Sequence, residues 1–156
     1  MAYEYKLYKM FQHGCNFYDC STMCRNVTDL REHFHFKVPQ IVNLAFACEV
    51  FLKTIILTTQ NEVRGHELKK LWSELDHELR VQLMVAIQDF TKLDESTILQ
   101  MIENISNAFT EWRYLYEVSG LSIQIGFLED FTYVLRDTTC KILYNKSYDE
   151  YTHVTK

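Results

Sequence analysis

Glu49 and Lys53 stand four residues apart inside an otherwise apolar run, NLAFACEVFLKTIILTT (43–59), and Arg113 and Glu117 repeat that spacing in NAFTEWRYLYE (107–117). On a helix, residues four apart share a face, and Glu placed N-terminal to Lys is the favourable order. Buried charges need partners. The expected arrangement is therefore a neutral four-charge cluster between two antiparallel helices, with Glu49 meeting Arg113 and Lys53 meeting Glu117. Trp112, Tyr114 and Tyr116 flank the arginine and offer rings on which a guanidinium stacks. Such a cluster either holds an anionic ligand or only fixes the register of the helices. In the plainer alternative, Glu49 and Lys53 sit at the rim of the core with the lysine stem lying over apolar surface. Arg113 is then a surface residue beside interface aromatics. His66 follows Gly65 at the start of HELKKLWSEL (66–75), where the positive end of a helix favours a phosphate; the competing role is a solvated or capping histidine.

Other chemistries lack their residues. His13, Cys15, Cys20 and Cys24 are rich in thiol and imidazole, but their spacing matches no standard zinc site. Glu74 and His77 form one E-x-x-H, where a di-iron bundle needs two such motifs and two further Glu. P-loop, G-x-G-x-x-G, H-E-x-x-H and G-x-S-x-G patterns do not occur. No metal or cofactor is expected, and no catalytic residue is assigned.

The elements that would position these residues are helical. The 156 residues suit a single domain, 47% hydrophobic and 14% aromatic, with only four Gly and one Pro to punctuate it. The net charge of −5 argues against a broad electrostatic grip on nucleic acid while leaving room for a local basic site. The apolar periodicity predicts helices over 3–26, 38–60, 66–75, 77–90, 97–118 and 121–144. Gly14 is placed to bend the first, Asp76 to cap the fourth, and Asp94 or Ser96 to cap the fifth. A polar tail from Asn145 is expected to fray. The result is an all-α, up-and-down bundle of about five to six helices. Tyr3, Glu4, Tyr5 and Lys6 interrupt any apolar leader, and Glu49 and Lys53 interrupt the longest apolar run. A cytoplasmic setting, no membrane span and five free thiols are therefore expected.

Three stretches in this order, VNLAFACEVFLKTIIL (42–57), GHELKKLWSEL (65–75) and FTEWRYLYE (109–117), resemble the HEPN (higher eukaryotes and prokaryotes nucleotide-binding) superfamily. The resemblance covers about residues 38–120 and implies a helical bundle, often dimeric. Many members of that superfamily are RNases of toxin–antitoxin or phage-defence systems, and others bind nucleotides. Their catalytic signature is an Arg followed by His after about four to six residues. Here Arg25 has seven residues before His33, Arg31 three before His35 and Arg64 one before His66. The resemblance thus implies a noncatalytic bacterial or phage-associated protein that binds a nucleotide, RNA or a protein partner. The alternatives are a metal-independent endoribonuclease toxin with a nonstandard site and a helical interaction scaffold. Aromatic residues on the first and last helices, Tyr3, Tyr5, Tyr8, Phe127, Phe131 and Tyr133, exceed what one core needs, so a homodimer is expected through one of these faces.

Overall fold

Apolar stretches with little Gly or Pro form helices throughout the computed structural model, which describes residues 2–114 and 123–154, apart from the side chains at 2, 30–35, 153 and 154. In chain order these are α1 (Ala2–Arg25), α2 (Leu30–Leu57), α3 (Leu68–Glu74), α4 (His77–Thr91), α5 (Glu95–Ile105), α6 (Ala108–Arg113), α7 (Ile125–Tyr144) and α8 (Tyr148–Val154). Among the described residues there is no strand, so the fold is an all-α bundle. Among the described residues eight helices form where the periodicity predicts about five to six, because one expected helix divides and the tail makes another.

Helix α2 is the centre of the bundle. Ile41, Leu44, Ala45, Cys48, Phe51, Leu52, Ile55 and Ile56 are buried on all its sides, as expected of a helix apolar all round. It packs against α1, α7, α6 and α3, while α4 covers α7 from the other side. The stretch Phe36–Leu57 is long and apolar enough to cross a membrane, yet 78% of its most apolar window is buried inside the bundle, which makes it a core helix. It begins well before Val38 and carries Pro39 internally. A proline inside a helix removes one backbone donor and its ring crowds the carbonyl four residues back, a cost that the burial of the rest of α2 outweighs.

Gly14 does not bend α1, which runs unbroken from Ala2 to Arg25. Its role is close approach: a Cβ at this position would lie 2.5 to 2.9 Å from three atoms of the fully buried Phe51 ring. The absent side chain is what lets α1 settle on α2.

Local signals set several ends. Asp76 accepts from the Glu78 amide at 2.9 Å, and Asp94 accepts from the Thr97 amide at 3.0 Å. Both are N-caps of the expected kind. The helix expected over 97–118 divides at Ser106, whose carbonyl accepts from the Leu68 amide (3.0 Å) and whose hydroxyl accepts from the Lys69 amide (3.0 Å). Two otherwise unpaired donors at the start of α3 are satisfied this way, at the expense of continuity between α5 and α6. The expected break at 119–120 and the start of the last helix at Leu121 lie outside the described residues.

The tail is ordered where fraying is expected. Asn145 takes the left-handed conformation (φ 54°) that ends α7. Ser147 and Glu150 then form a reciprocal capping box: the Ser147 amide donates to Glu150 at 2.8 Å, and the Glu150 amide donates to the Ser147 hydroxyl at 3.3 Å. Tyr148 and Tyr151 of α8 pack edge-on against Phe11 of α1. Beneath them Arg136 is buried, its guanidinium carbon 3.9 Å from the Tyr148 ring centre and 4.1 Å from that of Tyr18, with Asp19 at 4.0 Å. Phe127 and Phe131 belong to the core, because α7 turns them toward Trp72 and α2. Neither is the surplus surface aromatic expected there, while Tyr133 is half-buried and stacks on Phe90. On α1, Tyr3, Tyr5 and Tyr8 stay exposed, with the Tyr3 hydroxyl donating to the carbonyls of Leu57 and Gln60.

All five cysteines are free, with Cys15, Cys48 and Cys140 buried and Cys20 exposed. Burial raises the Cys15 thiol to about 12 and the Cys140 thiol to about 11, and pushes Cys48 higher still. Burial also raises the Tyr148 phenol to about 12. At pH 8 an alkylating reagent should therefore mark Cys20 while Cys15, Cys48 and Cys140 react only on unfolding, as peptide mass mapping would show. These groups hold their protons more tightly folded than unfolded. Their contribution to stability is thus complete below pH 9.0, the ordinary thiol value, and is lost as pH rises toward about 12. Denaturation midpoints measured across that window should fall steadily.

Candidate functional site

Glu49 is the best-enclosed charge of the expected cluster: its side chain is 2% exposed. One carboxylate oxygen, Oε1, accepts from Lys53 Nζ at 2.7 Å and lies 2.9 Å from Nδ1 of His66. The other, Oε2, is buried with no hydrogen-bond partner among the described residues. The Glu49–Lys53 contact follows from helical spacing alone. The Glu49–His66 contact depends on the loop between α2 and α3, where Gly65 adopts φ +93°, a conformation that disfavours any side chain. That turn swings His66 back onto α2. The imidazole therefore faces a carboxylate and stands apart from the first turn of α3, which begins two residues later at Leu68.

Arg113 does not join Glu49. Among the described residues it forms no ion pair, and its guanidinium lies over the rings of Phe109 (4.9 Å) and Tyr114 (4.7 Å). The cause is the division of the expected long helix at Ser106, which gives α6 its own start and places Arg113 at its exposed C-terminal end. The expected four-charge cluster is corrected accordingly: Glu49 is shared by Lys53 and His66, with Arg113 held apart on aromatic rings. Tyr116 and Glu117 lie outside the described residues.

Phenylalanines connect these groups. Phe17 meets Phe46 edge-on at 4.5 Å, Phe46 stacks on Phe109 at 4.9 Å, and His66 stands 6.1 Å from Phe109. All three are partly buried, which makes the row a surface seam between α1, α2 and α6. In the sequence they read as ordinary core positions. Only their mutual contact sets them apart, and that depends on how α6 lies against α2.

The ensemble is a cationic and aromatic surface above one buried carboxylate. Lys53 is 18% exposed, His66 is 57% exposed, and Arg113 is exposed. With Nδ1 held by Glu49, the remaining imidazole nitrogen of His66 is the one able to exchange a proton or contact a ligand. Among the described residues no three His, Cys, Asp or Glu side chains converge as metal ligands. A groove of about 510 Å³ opens elsewhere, between α3, α4 and α5. It is lined by Val81, Met84, Val85 and Leu99, with His77, Arg80 and Glu95. None of those three polar residues is buried, and no ion pair joins them among the described residues. The groove therefore has less chemistry to offer than the Glu49 site. No known family model, curated protein or solved structure matches the chain, so the geometry around Glu49, Lys53, His66 and Arg113 is what bears on function.

Proposed function

We propose that this protein is a noncatalytic, HEPN-like binder of nucleotides or RNA, working in a reducing cytoplasm, with the site around Arg113 as its ligand contact. The observation that carries this reading is Arg113 itself. Its guanidinium lies over Phe109 and Tyr114 with no carboxylate partner among the described residues, and the His66 ring stands 6.1 Å from the same Phe109 ring. A guanidinium held by rings is prepared for bidentate binding of a phosphate. The Tyr114 ring, 41% exposed, suits a nucleobase. Titration with uridine and adenosine monophosphates, followed by calorimetry, tests this. Wild type should bind, Arg113→Ala should weaken binding about tenfold or more by loss of a charge-assisted contact, and its unfolding midpoint should be unchanged. Absence of any binding at millimolar nucleotide would overturn the reading.

The His66–Glu49 pair favours a second reading, a metal-independent endoribonuclease. A carboxylate on Nδ1 orients an imidazole for general base catalysis. His66 would take the proton of a ribose 2′-hydroxyl as its oxygen attacks the adjacent phosphorus. The bond to the 5′-oxygen breaks as that oxygen takes a proton from water, and Arg113 stabilises the added charge. Cleavage of RNA in the presence of a chelator, giving 2′,3′-cyclic phosphate ends and abolished by His66→Ala, would replace the first reading with this one.

A further inference from the structure

We propose that the face of α1 carrying Lys6, Lys9 and His13 continues the Arg113 site, and that the two together bind a single polynucleotide strand several nucleotides long. This rests on the nucleotide reading above and extends it from one nucleotide to a strand.

Four observations place the track. Lys6, Lys9 and His13 lie at successive turns of one face of α1, all exposed, and border a groove of about 440 Å³ with Tyr5, Met10 and Val50. None of the three basic residues has an acidic partner among the described residues. Lys53, Lys69, Lys141, Arg25 and Arg64 each do. On a chain of net charge −5, Lys6 and Lys9 make a local basic patch with no carboxylate to offset it among the described residues. Tyr5 is 62% exposed, with the Lys9 ammonium 5.4 Å from its ring centre, the pairing of flat ring and cation that single-stranded nucleic acids use.

The track is also continuous with the site. Phe17 lies one turn beyond His13 on α1 and opens the aromatic seam that runs through Phe46 to Phe109 and Arg113. Val50, in the wall of the groove, lies one turn beyond Phe46 on α2 and next to Glu49. From Lys6 to His13 the helix rises about 10 Å, comparable with about three stacked nucleotides at roughly 3.4 Å each. A strand anchored by a phosphate at Arg113 and bases on the seam thus has further cations along its path.

Fluorescence anisotropy with labelled oligouridylates, from about one to about eight nucleotides, tests the length of the site. Affinity should rise with length. The double variant Lys6→Ala/Lys9→Ala should bind uridine monophosphate as wild type does but bind the longest oligomer about tenfold more weakly. Its log–log salt slope should be lower by about 1.4, two contacts at about 0.7 each. Both residues are exposed, and unchanged circular dichroism would establish that the variant is folded. An oligomer that binds no tighter than the mononucleotide, or one that the double variant binds unchanged, would overturn the strand while leaving the nucleotide site standing. Failure of every length, the mononucleotide included, would overturn both.

Discussion

Lys53→Ala should be the most damaging deletion among Glu49, Lys53 and Arg113, at about 3 kcal/mol of unfolding free energy. It leaves the Glu49 carboxylate 2% exposed with only His66 beside it, and breaking a buried ion pair from one side costs about 3–5 kcal/mol. The lower end applies because Lys53 is 18% exposed and His66 still contacts Oε1. Glu49→Ala should cost less. The lysine it strands can reach water along its own stem, and the buried charge itself is gone. In the double variant the losses should fall short of the sum, since the first deletion already removes the pair. Arg113→Ala, an exposed residue without an ion-pair partner among the described residues, should change stability by no more than about 0.5 kcal/mol. Urea denaturation of the four variants gives the comparison. A cost for Arg113→Ala equal to that of Lys53→Ala would mean that Arg113 shares the cluster after all.

Gly14→Ala should destabilise the protein by about 2 kcal/mol although alanine is the better helix former. The gain in helix propensity is about 1 kcal/mol. Against it, the new methyl carbon would lie 2.5 Å from an edge atom of Phe51, a ring with no exposed surface and with Phe11 at 6.0 Å. Overpacking of this kind costs about 1–3 kcal/mol on its own, and a contact this short puts Gly14 at the upper end or beyond. Phe51→Leu in the same chain removes the opposing atoms, so the double variant should recover part of the loss relative to the sum of the singles. Thermal and urea melts of the three proteins test it. A neutral or stabilised Gly14→Ala would show that α1 shifts freely on α2.

How far the sequence could be read depends on how local each determinant is. Asp76 and Asp94 cap their helices through amides two and three residues away, and both positions are legible. Glu49 and Lys53 are legible for the same reason. Ser147 and Glu150 carry an equally local signal, S-x-x-E, which the polar character of the tail outweighed. Ser106 breaks a helix for the sake of Leu68 and Lys69, nearly forty residues upstream, and nothing in its own neighbourhood announces this. The misplacement of Arg113 follows from that break. The approach of His66 to Glu49 depends on Gly65, whose positive φ a sequence suggests but whose direction it does not give.

The docking of α8 bears on how quickly this chain folds. Phe11 finds its ring partners Tyr144, Tyr148 and Tyr151 roughly 130 to 140 residues further along, so forming those contacts closes one of the longest loops in the described chain. Contacts of such long range tend to form late, after neighbouring helices have paired. The Phe11–Tyr151 junction is then a fastener applied after the folding barrier is crossed. Loosening it with Tyr151→Ala would leave the rate of folding nearly unchanged and would chiefly quicken unfolding. The lifetime of the native state, more than the speed of reaching it, is set where the two ends of the described chain meet.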